Sequence, residues 1–221
     1  MTDLRQDLQE YLQGYQWCEF DALPGRTNHL RCGILLPLRF DATLLCYAGK
    51  RSLALNNHAG EICFPGGQPE ERDADLSATA LREAHEEMNA HDVTLIGRLS
   101  SFPLYTSDFR LEPFVGVVNN DDLLADGREL IELCPIDIHE MLARPRINCI
   151  PFESDWNAPD GIHLSPVFEV GDHLMFGATA YVFYELLEVV AHVMGVSVPE
   201  KTSGPYQWSD ILPNHPPYEG K

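Results

Sequence analysis

FPGGQPEERDADLSATALREAHEEMNA, residues 64–90, is the stretch on which the reading of this chain turns. It opens on a Pro-Gly-Gly breaker, crosses a short acidic loop, and gains helical periodicity from Leu76 to Asn89. At about 100° per residue, Glu83, Glu86 and Glu87 (i, i+3 and i+4) share an arc of roughly 100°. Ser77, Leu81, Ala84 and Met88 fall on the far side as a narrow apolar stripe that can pack on a sheet. Like charges at helical i,i+4 spacing destabilise a helix by about 0.2–0.5 kcal/mol even when exposed. Arg82 can offset one acid, but not three together with Asp73 and Asp75. Divalent cations can. Oxygen ligands favour Mg²⁺, Mn²⁺ or Ca²⁺ over zinc, and Mg²⁺ completes its shell with waters and substrate phosphates. A solvated charged face explains most charge runs. It does not explain Arg-Glu and Glu-Glu set at these distances from Gly-Gly.

Outward from this stretch, the chain reads as strands with a few helices. Leu4, Leu8, Tyr11, Leu12 and Tyr15 predict a short amphipathic helix, and residues 33–40 and 42–48 predict two strands around Asp41. Residues 51–67 read as loop. Strands are expected at 93–100 and 113–118, and in ELIELCPI and INCIPF around a short helix at 138–142. HLSPVFEV and DHLMF read as a hairpin, residues 179–194 as a helix closing the core, and residues 199–221 as a Pro-, Gly- and Tyr-rich tail. The order predicts a mixed sheet between helices. Residues 1–30 are expected to be a helical extension, 31–195 the main domain and 196–221 the tail.

With 221 residues the chain can bury one sizeable core. Its 34 Asp+Glu against 15 Lys+Arg give a formal net charge of -19. That argues against a nucleic-acid binder, which needs a basic face to displace counterions. A phosphorylated small molecule held through cations remains open. The six cysteines are scattered, and the polar N-terminus lacks the apolar run of a signal peptide, so free thiols in a reducing cytoplasm are expected. The most apolar segment carries Glu185, Glu188 and His192, which fits a core helix and no membrane span.

The central stretch resembles the signature of the Nudix hydrolase family, G-x5-E-x7-R-E-U-x-E-E-x-G-U, where U is aliphatic. Gly67, Arg82-Glu83 and Glu86-Glu87 match it, with Ala84 and Ala90 at aliphatic positions. Asp73 stands for the loop acid, eight residues before Arg82 in place of seven, and Asn89 stands for the late glycine, where left-handed geometry follows the helix. The upstream residues Leu44-Leu45, Arg51-Ser52, Leu55, His58, Gly60 and Phe64-Pro65-Gly66-Gly67 are similar to the coenzyme A diphosphatase branch. So are PFVG at 113–116 and the G-x-T-A pattern at Gly177.

The resemblance implies an α/β/α sandwich of the Nudix type that cleaves the diphosphate linkage of a nucleotide-derived substrate, coenzyme A or acyl-CoA first. ADP-ribose, NADH or a dinucleotide is the alternative, and a non-catalytic nucleotide-sensing module a different class. It implies Mg²⁺ or Mn²⁺ held by Glu83, Glu86 and Glu87, with Gly67 allowing close backbone approach. Glu86 is the expected base, with Glu112 or Glu132 as downstream substitutes, and Arg82 is expected to tie the helix to Asp73 or Asp75. Arg51, Ser52 and His58 are the expected substrate contacts. The expected partner is the small-molecule substrate, with no nucleic acid and no membrane, and with room for a homodimer.

Overall fold

A computed structural model describes residues 3–153 and 162–211. In chain order the elements are α1 (Leu4–Gly14), β1 (Leu30–Phe40), β2 (Leu44–Arg51), β3 (Ile62–Cys63), β4 (Gly66–Gly67), α2 (Leu76–Met88), β5 (Val93–Arg98) and β6 (Phe102–Pro103). There follow β7 (Phe109–Val118), β8 (Leu130–Asp137), α3 (Ile138–Leu142), β9 (Arg146–Glu153) and β10 (Ile162–Pro166). Last come β11 (Phe168–Val170), β12 (His173–Met175), α4 (Gly177–Met194), β13 (Glu200–Ser203) and α5 (Trp208–Ile211).

The main sheet runs β3-β2-β1-β7-β5, with β4 on β1, β6 on β7 and β8 on β2. β1 and β7 pair in parallel from Leu30↔Phe109 to Leu38↔Val117, while the other pairings in this sheet are antiparallel. The sheet is therefore mixed. β1 is buried continuously from Gly33's successor Ile34 through Arg39's neighbour Leu38, as expected for a strand covered on both faces. On one face α2 packs Ala80, Ala84 and Met88 against Leu35, Val118 and Leu130. On the other, α1 and α4 bury Leu8, Leu12, Phe183 and Leu186 against Ile34, Leu36 and Val117. The result is an α/β/α sandwich. Among the described residues, no helix is long and apolar enough to cross a membrane.

Several boundaries differ from expectation, each for a physical reason. β1 and β7 begin three and four residues earlier than predicted, because their parallel ladder continues out to Leu30 and Phe109, beyond the apolar pattern. HLSP pairs with β9, so only β11 and β12 form the expected hairpin. The expected tail contributes a strand, since β13 adds in parallel to β9. Residues 212–221 of the expected tail lie outside the described residues. α2 sits rotated from its predicted stripe: Thr79, Ala80, Ala84, Glu87 and Met88 are buried, whereas Ser77 and Leu81 are only partly covered. α1 is fastened to α4 through Tyr15, whose hydroxyl donates to Glu185 at 2.9 Å.

The close seating of α2 depends on Gly33. A Cβ there would lie 2.2 Å from the Leu76 carbonyl oxygen and 3.1 Å from the Ala80 nitrogen, both backbone atoms that cannot rotate away. Gly33→Ala should therefore destabilise the protein by about 1–3 kcal/mol, the usual range for overpacking. Urea unfolding measures this, and an unchanged midpoint would show that α2 can slide.

Candidate active site

Two caps fix the length of α2. Asp75 accepts from the Ser77 and Ala78 backbone N–H groups at 2.8 and 2.9 Å and starts the helix. Asn89 ends it at φ 55, ψ 29, and Ala90 N–H donates to the Ala84 carbonyl at 3.1 Å. The asparagine thus takes the left-handed position expected of it, and its side chain also reaches the Asp122 carbonyl at 2.9 Å.

Arg82 ties the helix to the loop, and its partner is Asp73. Its Nε and Nη2 donate to the two Asp73 oxygens at 3.1 and 3.0 Å, and Nη2 also reaches the Gln68 carbonyl at 3.0 Å. Arg82, with help from the Glu70 N–H and the Thr79 hydroxyl, holds the Asp73 carboxyl well below the usual range. Asp75 is spent on the cap. The remaining Arg82 nitrogen, Nη1, donates to both Glu83 Oε1 (2.9 Å) and Glu86 Oε2 (3.1 Å). The other Glu86 oxygen accepts from Arg72 at 2.8 Å.

Glu87 is different. It is 3% exposed and takes one long hydrogen bond, from the Gly66 N–H at 3.3 Å. Burial, then the nearby Glu83 and Glu129 carboxylates, push its pKa up to about 8, while Arg51 pulls the other way. Burial also raises Glu83, against the pull of Arg82. Gly67 lies directly over Glu83: a Cβ there would sit 2.2 Å from Glu83 Oε1. The Gly-Gly turn thus brings backbone against the Glu83 carboxylate, which a side chain at Gly67 would push aside.

Arg51 reaches the site from the end of β2. It acts on the Cys63 thiol, whose pKa burial pushes up to about 12, and its Nε is buried with no hydrogen-bond partner among the described residues. His58 stands nearby at φ 56, its Nδ1 3.0 Å from Glu61 Oε2, and this contact raises its pKa. Ser52 is 8% exposed, but its hydroxyl accepts from Ala54 N–H at 3.3 Å and so supports the turn.

Neither expected downstream acid reaches the glutamates. Glu112 is buried on β7 and consumed by Arg31, Arg98 and Ser101. Glu132 is 54% exposed and pairs with His173. Glu129 is the acid that acts on both Glu83 and Glu87. A bulge hid it from sequence reasoning: Lys50 pairs with Glu132 but Arg51 with Leu130, and the Ser52 N–H then bonds the Glu129 carbonyl at 2.8 Å. His85 is exposed and faces the His91 ring at 6.2 Å, consistent with a surface role. His192 is exposed against Tyr11, not packed inside.

These residues fit a divalent cation. Buried Glu87 beside Glu83 and Glu129 is disfavoured as a carboxylate unless a cation balances it, since one long hydrogen bond and a neighbouring arginine leave its pKa raised. Among the described residues the acids do not form a ready-made cage, because Arg82 and Arg72 hold Glu86 outward.

Residues 27–153 match the family model described as the NUDIX domain. The chain belongs to the Nudix family. It is 28% identical over 167 residues to the uncharacterized Nudix hydrolase NudL of Photorhabdus laumondii, covering 74% of this chain and 86% of that protein. It is 34% identical over 145 residues to NudL of Yersinia enterocolitica, covering 63% and 72%. Similar solved structures include a Nudix hydrolase from Nitrosomonas europaea (18% identity, 79% and 78% coverage, TM-score 0.49). Another is the Nudix domain of Shewanella oneidensis NrtR complexed with ADP ribose (15% identity, 62% and 86% coverage, TM-score 0.42). This Nudix chain is a pyrophosphohydrolase of a family that generally uses divalent metal ions and typically acts on nucleoside diphosphate derivatives.

The Glu87 shift has a consequence for stability without metal. A carboxyl whose folded pKa is raised contributes stability at low pH and loses it as pH rises from 4.5 towards about 8. His58, also raised, works in the same direction. In EDTA the melting temperature should therefore climb on going from pH 8 to pH 6, and Glu87→Gln should flatten the climb. An equally steep profile in the variant would assign the effect elsewhere.

Proposed function

We propose that this Nudix enzyme hydrolyses the diphosphate linkage of coenzyme A or acyl-CoA with Mg²⁺ or Mn²⁺, in a reducing cytoplasm. The observation that carries the reading is the company these groups keep: Glu83, Glu87 and Glu129 act on one another, and Arg51, whose buried Nε has no hydrogen-bond partner among the described residues, acts on Glu87. A diphosphate substrate held with cations satisfies both the acids and the arginine. Glu83, Glu86 and Glu87 would hold the metal, the backbone at Gly67 leaving room for it. Bound divalent ions supply charge neutralisation and a water of lowered pKa.

The chain's own residues do the rest. Arg82 is a positioning residue: it fixes Glu83 and Glu86 relative to the loop and touches no substrate. Arg51 contacts phosphate, His58 beside it adds charge when protonated, and Ser52 shapes their turn. Sequence alone favours Glu86 as proton acceptor. Both its oxygens are engaged by guanidiniums, so we move that role to Glu129, which lies beside Glu83 and Glu87. ADP-ribose, NADH or a dinucleotide is the second reading, favoured by Asn56, which stands where the coenzyme A branch carries a basic residue. A nucleotide-sensing module has no need of the intact Arg82, Glu83, Glu86 and Glu87 set.

EDTA should abolish turnover, and Mg²⁺ or Mn²⁺ should restore it. Glu87→Gln should lower kcat by about 10²-fold or more, as when a major electrostatic contribution to catalysis is removed. Full activity in chelator, or in the variant, would reject this use of the carboxylates.

Substrate choice is tested through Arg51. A charge-assisted phosphate contact is worth about 1.5–3 kcal/mol. Arg51→Ala should raise KM for coenzyme A at least about tenfold and KM for ADP-ribose, which lacks the 3′-phosphate, much less. Equal effects, or faster wild-type turnover of ADP-ribose, would favour the second reading.

A further inference from the structure

Two guanidiniums meet at Glu86, and they are not held alike. Arg82 is 11% exposed and anchored by Asp73 and the Gln68 carbonyl, so it cannot leave without opening the loop. Arg72 is 62% exposed. Beside its 2.8 Å bond to Glu86 Oε1, its one other ion pair among the described residues is Nε to Glu70 Oε2 at 2.9 Å, on a carboxylate itself 53% exposed. Exposed ion pairs of this kind are weak and exchange readily. Glu86 therefore has one fixed cation and one replaceable cation. If Glu86 is to serve as a metal ligand, Arg72 is the group that yields. Freed from Glu86, its planar fork of donors is suited to bidentate contact with phosphate. Arg72 directly precedes Asp73, so the Arg82 tie keeps it at the mouth of the site.

We propose that Arg72 is an exchangeable counter-ion: it holds Glu86 in the metal-free enzyme, competes with the incoming divalent cation, and once displaced binds the substrate's diphosphate. The inference rests on the reading above that Glu86 is a metal ligand. It makes metal loading and substrate binding depend on one side chain.

The test measures Mn²⁺ binding without substrate, from the electron paramagnetic resonance signal of free Mn²⁺. Wild type, Arg72→Ala, Glu86→Gln and the double variant are compared. Arg72→Ala should lower the Mn²⁺ Kd by up to about fivefold, the upper end of the range for losing an exposed ion pair. Glu86→Gln should raise the Kd, and in that background Arg72→Ala should change nothing further. At saturating Mn²⁺, with whichever of coenzyme A and ADP-ribose the wild type hydrolyses, Arg72→Ala should raise KM more than it lowers kcat. Arg72→Lys should fall between on both readouts. An unchanged or higher Kd in Arg72→Ala, or an unchanged KM, overturns the proposal. If Glu86→Gln leaves the Kd untouched, the ligand assignment fails as well. If it weakens binding while Arg72→Ala has no effect, only the counter-ion role fails.

Discussion

The Arg82 guanidinium is the fixed point on which the site depends. Its bonds to Asp73 and the Gln68 carbonyl fasten the loop to the middle of α2, leaving one nitrogen for Glu83 and Glu86. A surface arginine would contribute little by such contacts, because solvent screening and side-chain entropy cancel most of the gain. At 11% exposure, opposite an Asp73 side chain that is 4% exposed, these bonds are largely shielded from water. The tie makes the acidic loop part of the helix framework. Without it, the Pro-Gly-Gly turn and the glutamates would be joined only by a flexible segment.

A second constraint meets the first from beneath. α2 can rest against β1 only because Gly33 has no side chain, and a side chain at Gly67 would displace the Glu83 carboxylate from its place under the turn. Close backbone approach turns Glu87 into the sheet, where it shares the packing face with Ala80, Ala84 and Met88. Burial of that carboxyl raises its proton affinity and makes a divalent cation welcome for the same electrostatic reason. On the proposed reading, tight packing and cation affinity therefore share one origin.

How much of this the sequence discloses follows from which forces are local. The Asn89 stop and the Arg82 tie to the loop are written within a few residues of one another and are legible. The Asp75 cap is not, because Asp75 reads from sequence as a partner for Arg82 instead. The helical arc of Glu83, Glu86 and Glu87 is legible too, but its exact rotation is not: Ala84 and Met88 are buried as predicted, whereas Ser77 and Leu81 lie at the margin of the packing face and Thr79, Ala80 and Glu87 join it. Sheet contacts settled that orientation, since Gly33 admits the Leu76 carbonyl where a larger residue would have turned the helix. Glu129 was illegible for a related reason. Its place depends on the break in register between β2 and β8, and a bulge leaves no periodic trace in a segment as short as GRELIEL.

The same separation of local from distant forces explains why charge is distributed so unevenly around α2. A net charge of -19 sets up repulsion that the molecule as a whole relieves through solvent and salt. At the site that relief is weaker, because Glu87 is shut away from water and Glu83 partly so. Fixed arginines could neutralise the cluster completely, but that would remove the attraction for a cation. The observed arrangement stops short. Arg82 balances Asp73 and shares one nitrogen between Glu83 and Glu86, while Glu87 is left with a single backbone donor. Glu87 is thus the carboxylate whose charged form most needs a neighbouring cation, because burial otherwise favours its protonated form.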